Sequence, residues 1–430
     1  MPCFLGVNHP VDEEGLMRGE PREPSTSRWN PEPSATAPRH DAGEASLHWQ
    51  GILPLRNVLE TTRPEGELLL ACARTQMVPA LRQRIVNIVA CDPDWERLLT
   101  LGAKHRILPL LRRNLQAVCA DQIPADFRGK LNRRLENNTT STRQQAEELL
   151  RLMPLFQAAG VAVIPFKGAL LASTIYGAMN LRQVWDIDLL IDPCQLPAAR
   201  TLLLQQGYVS AKCFDRAEDF VHPGTKLEID LHWALTPFYF SVDFTFESLW
   251  RRRRTYTLCE TPVDSFSPED LILILCLQVA KDCWERRQHI EYLAKVVDIA
   301  ELLRARADLD WRSVTVQARH LGLLRILHFG LVLAHTLLGA ELPASVCSTM
   351  EADRRAVALA DRVCRRLFGE EDLFVAKSQG QPLDIAFRRR QLLFYLGLRE
   401  RRRDWLLHGF TIGQHGLPLL LRSLPGRLNR

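Results

Sequence analysis

Two aspartates one residue apart, Asp186 and Asp188, sit in the run Asp186-Ile187-Asp188-Leu189-Leu190-Ile191. Strand side chains alternate, so this run predicts a strand whose two carboxylates leave on one face while Ile187 and Leu189 enter a core. Carboxylates about 7 Å apart along a buried strand repel each other and bring no structural benefit unless cations sit between them. Hard divalent ions with oxygen ligands, Mg²⁺ above all and Mn²⁺ as a substitute, meet that need. A second acidic stretch alternates strictly over Lys226–Trp233, with Glu228, Asp230 and His232 on one face and Leu227, Ile229 and Leu231 on the other. A carboxylate from this stretch, Asp230 or its neighbour Glu228, would complete a two-metal site. His232 reads first as a core histidine bonded to backbone. Trp185 reads as a packing residue, with stacking on a base as the sharper alternative.

Upstream, Phe166-Lys167-Gly168 sets a glycine between a strand and a helix. Such a turn presents free backbone N–H groups and a positive dipole end to phosphate. Lys167, one of only eight lysines in the chain, adjoins that turn and is a candidate phosphate contact with Gly168. Arg182 precedes the acidic strand and is a candidate partner for phosphate or for Asp186.

The elements that must position these residues change character at Gly160. Val161–Phe166 is a short apolar run bounded by glycines and predicts a buried strand. A helix is expected over Gly168–Tyr176, the acidic strand over Asp186–Ile191, and a helix over Leu196–Gln206 stopped by Gly207. Lys226–Trp233 is the third strand, and from Pro268 the chain reads as helical again. Before Gly160, helices are expected over Glu67–Thr75, Val78–Val89 and Trp95–His105, the last capped by Asp94. Pro109 falls inside the Ile107–Leu115 segment, and one long helix is expected from about Pro124 to Ala159. His105 and Arg106 end a helix, where positive charge is favourable for dipole reasons alone. The first 48 residues carry seven prolines and a net charge of −4 with almost no apolar periodicity, which predicts a disordered tail. The expected organisation is a tail over 1–48, a helical region over 49–159, an α/β core over 160–255, a helical region over 256–345 and a basic helical region over 346–430.

Composition narrows the function classes. With 430 residues, 46% hydrophobic and 24% charged, the chain is long enough for a sizeable core and is neither fibrous nor wholly disordered. Its longest apolar runs, Leu271–Ala280 and Ile326–Gly339, fall short of the roughly 20 residues a membrane-spanning helix needs, so no transmembrane segment is expected. No basic stretch followed by an apolar core opens the sequence, so no secretory signal is expected. Eleven cysteines stand singly with no CxxC pair, which excludes zinc-ribbon and thioredoxin readings and predicts buried, reduced thiols in a cytoplasmic protein. The sequons at Asn137 and Asn138 are then silent. Residues 381–430 carry a net charge of +7. The arginine runs at 251–254, 388–390 and 401–403 read as solvated helix faces. Without interleaved aromatics a nucleic-acid surface is not favoured.

Lys167-Gly168-Ala169-Leu170-Leu171, Tyr176, Arg182, Asp186-Ile187-Asp188-Leu189-Leu190-Ile191, Gly207-Tyr208 and Asp230-Leu231-His232-Trp233 together resemble the uncharacterised nucleotidyltransferase family. That family belongs to the DNA-polymerase-β-like nucleotidyltransferase superfamily. The resemblance runs from about Glu67 to Leu342. It implies an α+β fold, a small mixed-sheet core flanked by N- and C-terminal helical regions. It also implies three acids, Asp186, Asp188 and Asp230, that hold two Mg²⁺ ions while NMP passes from an NTP to an acceptor hydroxyl. Asp186 and Asp188 would bind both ions, and Asp230 would ligate the catalytic one and help deprotonate the acceptor. Family helices after the core pack over the nucleotide cleft, which makes Lys281 and Lys295 triphosphate candidates, against simple pairing of Lys281 with Glu285 and Glu291 with Lys295. The expected partners are an NTP and an unidentified hydroxyl-bearing acceptor, a small molecule, sugar or peptide. Ala169 stands where the superfamily carries serine. The alternative reading is therefore a catalytically inactive nucleotide-binding scaffold or antitoxin-like module, and behind it an RNA-modifying nucleotidyltransferase.

Overall fold

Two fully buried apolar runs, an exposed segment and two alternating segments form five short strands in the middle of the chain. They are β1 (Val163–Phe166), β2 (Ile187–Ile191), β3 (Val209–Cys213), β4 (Ala217–Val221) and β5 (Glu228–His232). They form one sheet in the order β1-β2-β5-β4-β3. β2 and β5 run parallel, and every other neighbouring pair is antiparallel. The sheet is therefore mixed and the fold is α+β, as the resemblance implies. A parallel pair needs a long crossover. Here it runs through the helix Leu196–Gln205 and the β3–β4 hairpin. Sequence reading found β1, β2 and β5 and missed β3 and β4.

The structure, a computed structural model, describes residues 63–237, 240, 242–285, 289–368 and 385–401, with backbone alone at 285 and 385–391. The tail over 1–48 and the arginines at 402 and 403 lie outside these residues.

Before the sheet come α1 (Pro64–Cys72), α2 (Pro79–Ala90), α3 (Trp95–Lys104), α4 (Leu108–Cys119), α5 (Ala125–Leu135) and α6 (Asn138–Ala158). Asp94 caps α3 as expected, accepting from Arg97 N at 2.9 Å. Pro109 lies in the first turn of α4, where its missing N–H costs no helical bond. The single long helix expected from Pro124 to Ala159 is two helices. The reason lies in packing: Phe127, Leu131 and Leu135 of α5 enter one core, whereas Ala146, Leu149, Leu152 and Phe156 of α6 enter another. One straight rod would not serve both.

Within and after the sheet come α7 (Gly168–Thr174), α8 (Leu196–Gln205), α9 (Phe246–Arg252) and the hairpin β6 (Arg254–Leu258) and β7 (Thr261–Ser265). They are followed by α10 (Pro268–Glu285), α11 (Leu293–Ala305), α12 (Trp311–Leu321), α13 (Leu324–Leu338), α14 (Ala344–Ala352), α15 (Arg354–Cys364) and α16 (Ile385–Leu398). The β6–β7 hairpin straddles residue 255 and fastens to β1, where Ser265 Oγ donates to Pro165 O at 2.6 Å.

The sheet divides two cores. One face sends Ile187, Leu189, Ile191, Phe220, Ile229 and Leu231 against α6 and α8. The other sends Ile164, Phe166 and Leu190 into a larger core that runs unbroken from α1–α5 into α10, α11, α13 and α15. The helical regions on either side of the sheet, separate in sequence, thus share one interior. Arginines 251–254 are not a uniform solvated face: Arg252 pairs bidentately with Asp270 at 2.9 and 2.8 Å, and Arg253 reaches Asp264 at 2.8 Å. The cysteines also divide. Cys72, Cys119, Cys276, Cys283 and Cys364 are buried, whereas Cys91, Cys194, Cys213 and Cys259 are exposed, against the expectation of buried thiols. No helix among the described residues is long and apolar enough to cross a membrane.

Candidate active site

One residue from each strand meets at a single level of the sheet. Phe166, Asp188, Asp230, Asp219 and Lys212 are successive cross-strand partners from β1 to β3. Alternation turns Asp188 and Asp230 away from the core face that receives Ile187 and Leu189. His232 lies two residues further along β5, and Asp186 two residues before Asp188, so both belong to the same side. The His232 Nε2 atom is 3.1 Å from Asp230 Oδ2 and 3.4 Å from Asp188 Oδ1. One ligand atom each from Asp188, Asp230 and His232 fall within 4.8 Å of one another. Lys167 Nζ stands 3.3 Å from Asp188 Oδ1.

The charges at this level are out of balance. Asp186 is pushed up to about 6, first by burial and then by the negative charges of Asp188 and Asp230. Asp219 is also pushed up to about 6, by burial and by the adjoining Asp230. Asp188 goes the other way, to about 2. Burial opposes its charge, but Lys167 and His232 outweigh that cost. Burial likewise disfavours a charged His232, yet the two carboxylates beside it raise it to about 9. His232 is thus a partner of the acids and not the backbone-bonded core histidine expected. Asp230 Oδ1 and His232 Nε2 are buried without a well-formed hydrogen bond. Clustered carboxylate oxygens with one buried lone pair unfilled are the donor set a hard divalent cation takes. The residues fit such an ion.

The turn that carries Lys167 is tight. Lys167 has φ 58° and ψ −138°, a region rarely held by a residue with a side chain. Gly168 follows at φ 48°, and a Cβ there would lie 3.3 Å from the Asp186 carbonyl oxygen. The glycine therefore lets the turn approach the segment that leads into β2. Ala169 is buried in the core beneath the sheet. Lys167, Gly168, Asp186 and Asp188 line a cleft with Gln145, whose Nε2 donates to Val184 O at 3.3 Å while its Oε1 is buried without a partner.

The remaining expected residues are engaged elsewhere. Arg182 pairs bidentately with Asp298 of α11 at 2.9 Å on both sides, and Tyr176 Oη donates to the same carboxylate at 2.6 Å. Burial opposes the Arg182 charge, but Asp298 overrides it and holds the guanidinium pKa above its usual range. Lys281 and Lys295 both end on buried Asp282, the former at 3.0 Å, and Lys295 also meets Glu291 at 2.7 Å. Glu228 is exposed at the start of β5. The structure brings Asp186, Asp188, Asp230, Lys167 and Gly168 together and assigns Arg182, Lys281 and Lys295 to ion pairs within the chain.

Sequence reasoning missed Asp219, whose signal was faint: a short alternating run, Ala217–Val221, after the turn at Asp215-Arg216. It named Lys295 and passed over Asp298, three residues on, which is the residue that reaches the core. It set aside Arg106, which lies over the rings of Tyr292 and Trp185 at 3.7 and 5.2 Å from their centroids.

Among solved structures, the chain is similar to the antibiotic-resistance factor ANT(2'')-Ia, with 14% identity over 42% of this chain and 94% of that one and a TM-score of 0.31. It is also similar to an antigenic nucleotidyltransferase-like protein from Paracoccidioides brasiliensis, with 18% identity over 48% of this chain and 94% of that one and a TM-score of 0.27. No curated protein matches it. Residues 92–339 match a family described as uncharacterised nucleotidyltransferase. That span is more than half of the 430 residues and contains the whole acidic level of the sheet, so the chain belongs to the uncharacterised nucleotidyltransferase family and is a nucleotidyltransferase.

Proposed function

We propose that the protein transfers a nucleoside monophosphate from an NTP to the hydroxyl of an acceptor, with Asp186, Asp188 and Asp230 as the catalytic and metal-binding acids. The single observation that carries this reading is the meeting of Asp188, Asp230 and His232 within 4.8 Å on one sheet face. Divalent ions, Mg²⁺ or Mn²⁺, would there neutralise the carboxylates, polarise the acceptor oxygen and steady the triphosphate. In the transfer a bond forms between the acceptor oxygen and the α-phosphorus. The bond from that phosphorus to the bridging oxygen breaks, and pyrophosphate leaves. Asp230, half-buried with one oxygen lacking a hydrogen bond, takes the acceptor proton. Lys167 and His232 hold Asp188 ionised across the neutral range, so a ligand oxygen needs no deprotonation before binding. Such transfers ask little covalent chemistry of the protein, so positioning and charge supply the rate. The solubility and compartment that fit this reading are those of a cytoplasmic enzyme.

A second reading has its own observation. Lys167 and a protonated His232 already place two positive charges beside Asp188, which suits a binding module that needs no ions. Incubation with each labelled NTP, Mg²⁺ and a pool of hydroxyl-bearing metabolites decides between them. Pyrophosphate release with a labelled product supports transfer. NTP binding with no release under any condition supports the binding module.

A further inference from the structure

The turn between α3 and α4 carries a cation that none of the ion pairs above absorbs. His105 is buried and fastens the turn to the start of α11: its Nδ1 accepts from Leu293 N at 3.2 Å and its carbonyl from Ala294 N at 3.1 Å. The next residue, Arg106, is held at φ 59°, a left-handed conformation that side-chain-bearing residues seldom keep. That conformation sends the guanidinium over Tyr292, 3.7 Å from the ring centroid, with Trp185 on its flank at 5.2 Å. Aromatic rings cover the faces of a guanidinium and leave its N–H edges pointing outward. Among the described residues, no carboxylate pairs with those edges.

Trp185 is 56% exposed and directly precedes Asp186, which lines the acidic cleft, so the backbone carries one ring of the stack next to a cleft residue. The cations that the sequence pointed to are taken: Lys167 by Asp188, Arg182 by Asp298, Lys281 and Lys295 by Asp282. Lys212, at the far end of the acidic level, rests over the Phe214 ring. A polyanion entering a cleft lined by acids needs a fixed positive partner besides any ions it brings. A stacked, pre-oriented guanidinium is the side chain best shaped to grip phosphate in two places at once.

We infer that Arg106, clamped between Trp185 and Tyr292, is the residue that binds the triphosphate of the incoming nucleotide. This rests on the NTP reading above. It assigns the nucleotide's phosphates to the side of the cleft where the α3–α4 turn meets α11, and leaves the side toward Asp219 and Lys212 for the acceptor.

The test is calorimetric titration of the full chain with ATP, GTP, CTP and UTP in Mg²⁺, and with tripolyphosphate and the four nucleosides as probes. For whichever NTP binds, Arg106→Ala weakens binding at least tenfold, removes competition by tripolyphosphate and leaves nucleoside affinity unchanged. Arg106→Lys keeps the charge without the planar fork. It weakens NTP several-fold with nucleoside affinity unchanged, and it carries the test if the alanine variant melts early. Wild-type NTP affinity retained in both variants overturns the inference and leaves the proposed function standing. Equal loss of nucleoside and NTP overturns it in favour of a purely structural clamp. A wild-type chain that binds no NTP overturns the inference and the function together.

Discussion

Asp298 of the helical body and Asp188 of the sheet are buried to similar degrees, 2% and 6% exposed, yet their surroundings differ in kind. Asp298 receives two guanidinium bonds from Arg182 and the Tyr176 hydroxyl. Nearby buried carboxylates are treated alike: Asp270 receives both arms of Arg252 and the Ser267 hydroxyl, and Glu301 receives Thr75 and Arg304. At the sheet, four aspartates face Lys167 and His232, and Asp230 keeps a buried oxygen with no hydrogen bond. Charges that hold helices together are matched in place by the chain. Charges at the sheet are left in excess, which costs stability and is retained where something from outside completes the balance.

The sharpest way to break this contrast is to neutralise one acid on each side. Asp188→Asn should lower transfer at least a thousandfold, about 4 kcal/mol of transition-state stabilisation. The metal-free fold should lose less stability than a matched buried charge does, because repulsion from Asp186 offsets part of what Lys167 and His232 contribute by holding Asp188 ionised. Turnover measured alongside melting temperature in EDTA separates the two; a destabilised yet active variant sinks the catalytic assignment. Asp298→Asn should do the reverse. It strands a buried guanidinium, a loss of about 3–5 kcal/mol, visible in urea denaturation. An unchanged unfolding midpoint would show that Arg182 finds another partner and that the helical body is not held by matched charge.

The sheet's acids were legible in sequence because strand periodicity alone fixes which side chains share a face. Asp186, Asp188 and Asp230 needed no tertiary information beyond the adjacency of β2 and β5. Asp219 needed the register of a hairpin, and Ala217–Val221 has too few apolar residues to announce a strand. The cations are a different case. The Glu291–Lys295 pair is legible as i,i+4 spacing and is present, whereas Lys295 with Asp282 and Arg182 with Asp298 join residues 13 and 116 apart in sequence. Sequence spacing shows i,i+4 neighbours on one helix but not pairs between helices. Arg106 was hidden because its direction follows from one left-handed backbone conformation, which no residue type at that position signals.

The charge excess should also be visible as a response to ions and pH. Mg²⁺ with an NTP at 100 times its dissociation constant should stabilise the fold by about 2.7 kcal/mol, whereas an Asp188→Asn protein should gain far less; equal gains would place the binding site elsewhere. Without metal, stability should fall as pH rises. Asp186 and Asp219 are raised to about 6 from 3.8, so what they contribute is present below about pH 4 and is lost through pH 6. His232, raised from 6.5 to about 9, contributes a term complete below pH 6.5 and lost as pH climbs through 9. Each proton bends the curve by at most about 1.4 kcal/mol per pH unit. Divalent ions should reverse the slope near neutrality, because they bind the deprotonated ligands. A metal-free melting temperature that rises steadily from pH 4 to 9 would contradict the excess of acid at the sheet.

The smallest expected effect tests whether matching in the helical body is graded by depth. Lys295 lies between Asp282, whose side chain is 5% exposed, and Glu291, 18% exposed and one turn before it on the chain. Burial opposes the Asp282 charge, but Lys295 and Lys281 outweigh it and keep the carboxyl below its usual range. Glu291→Gln removes the outer partner only, and Asp282 still neutralises the ammonium, so the loss should be about 0.3–0.5 kcal/mol, as for an ordinary helical pair. Asp282→Asn removes the shared inner partner of two lysines and should cost several times more. NTP affinity distinguishes this from a nucleotide-binding role for Lys295. If Lys295 belongs to the ion-pair cluster, Glu291→Gln leaves the dissociation constant unchanged. If Lys295 belongs to the triphosphate, freeing it from Glu291 tightens binding, and that result would move Lys295 from the matched charges of the helical body to the unmatched charges of the site.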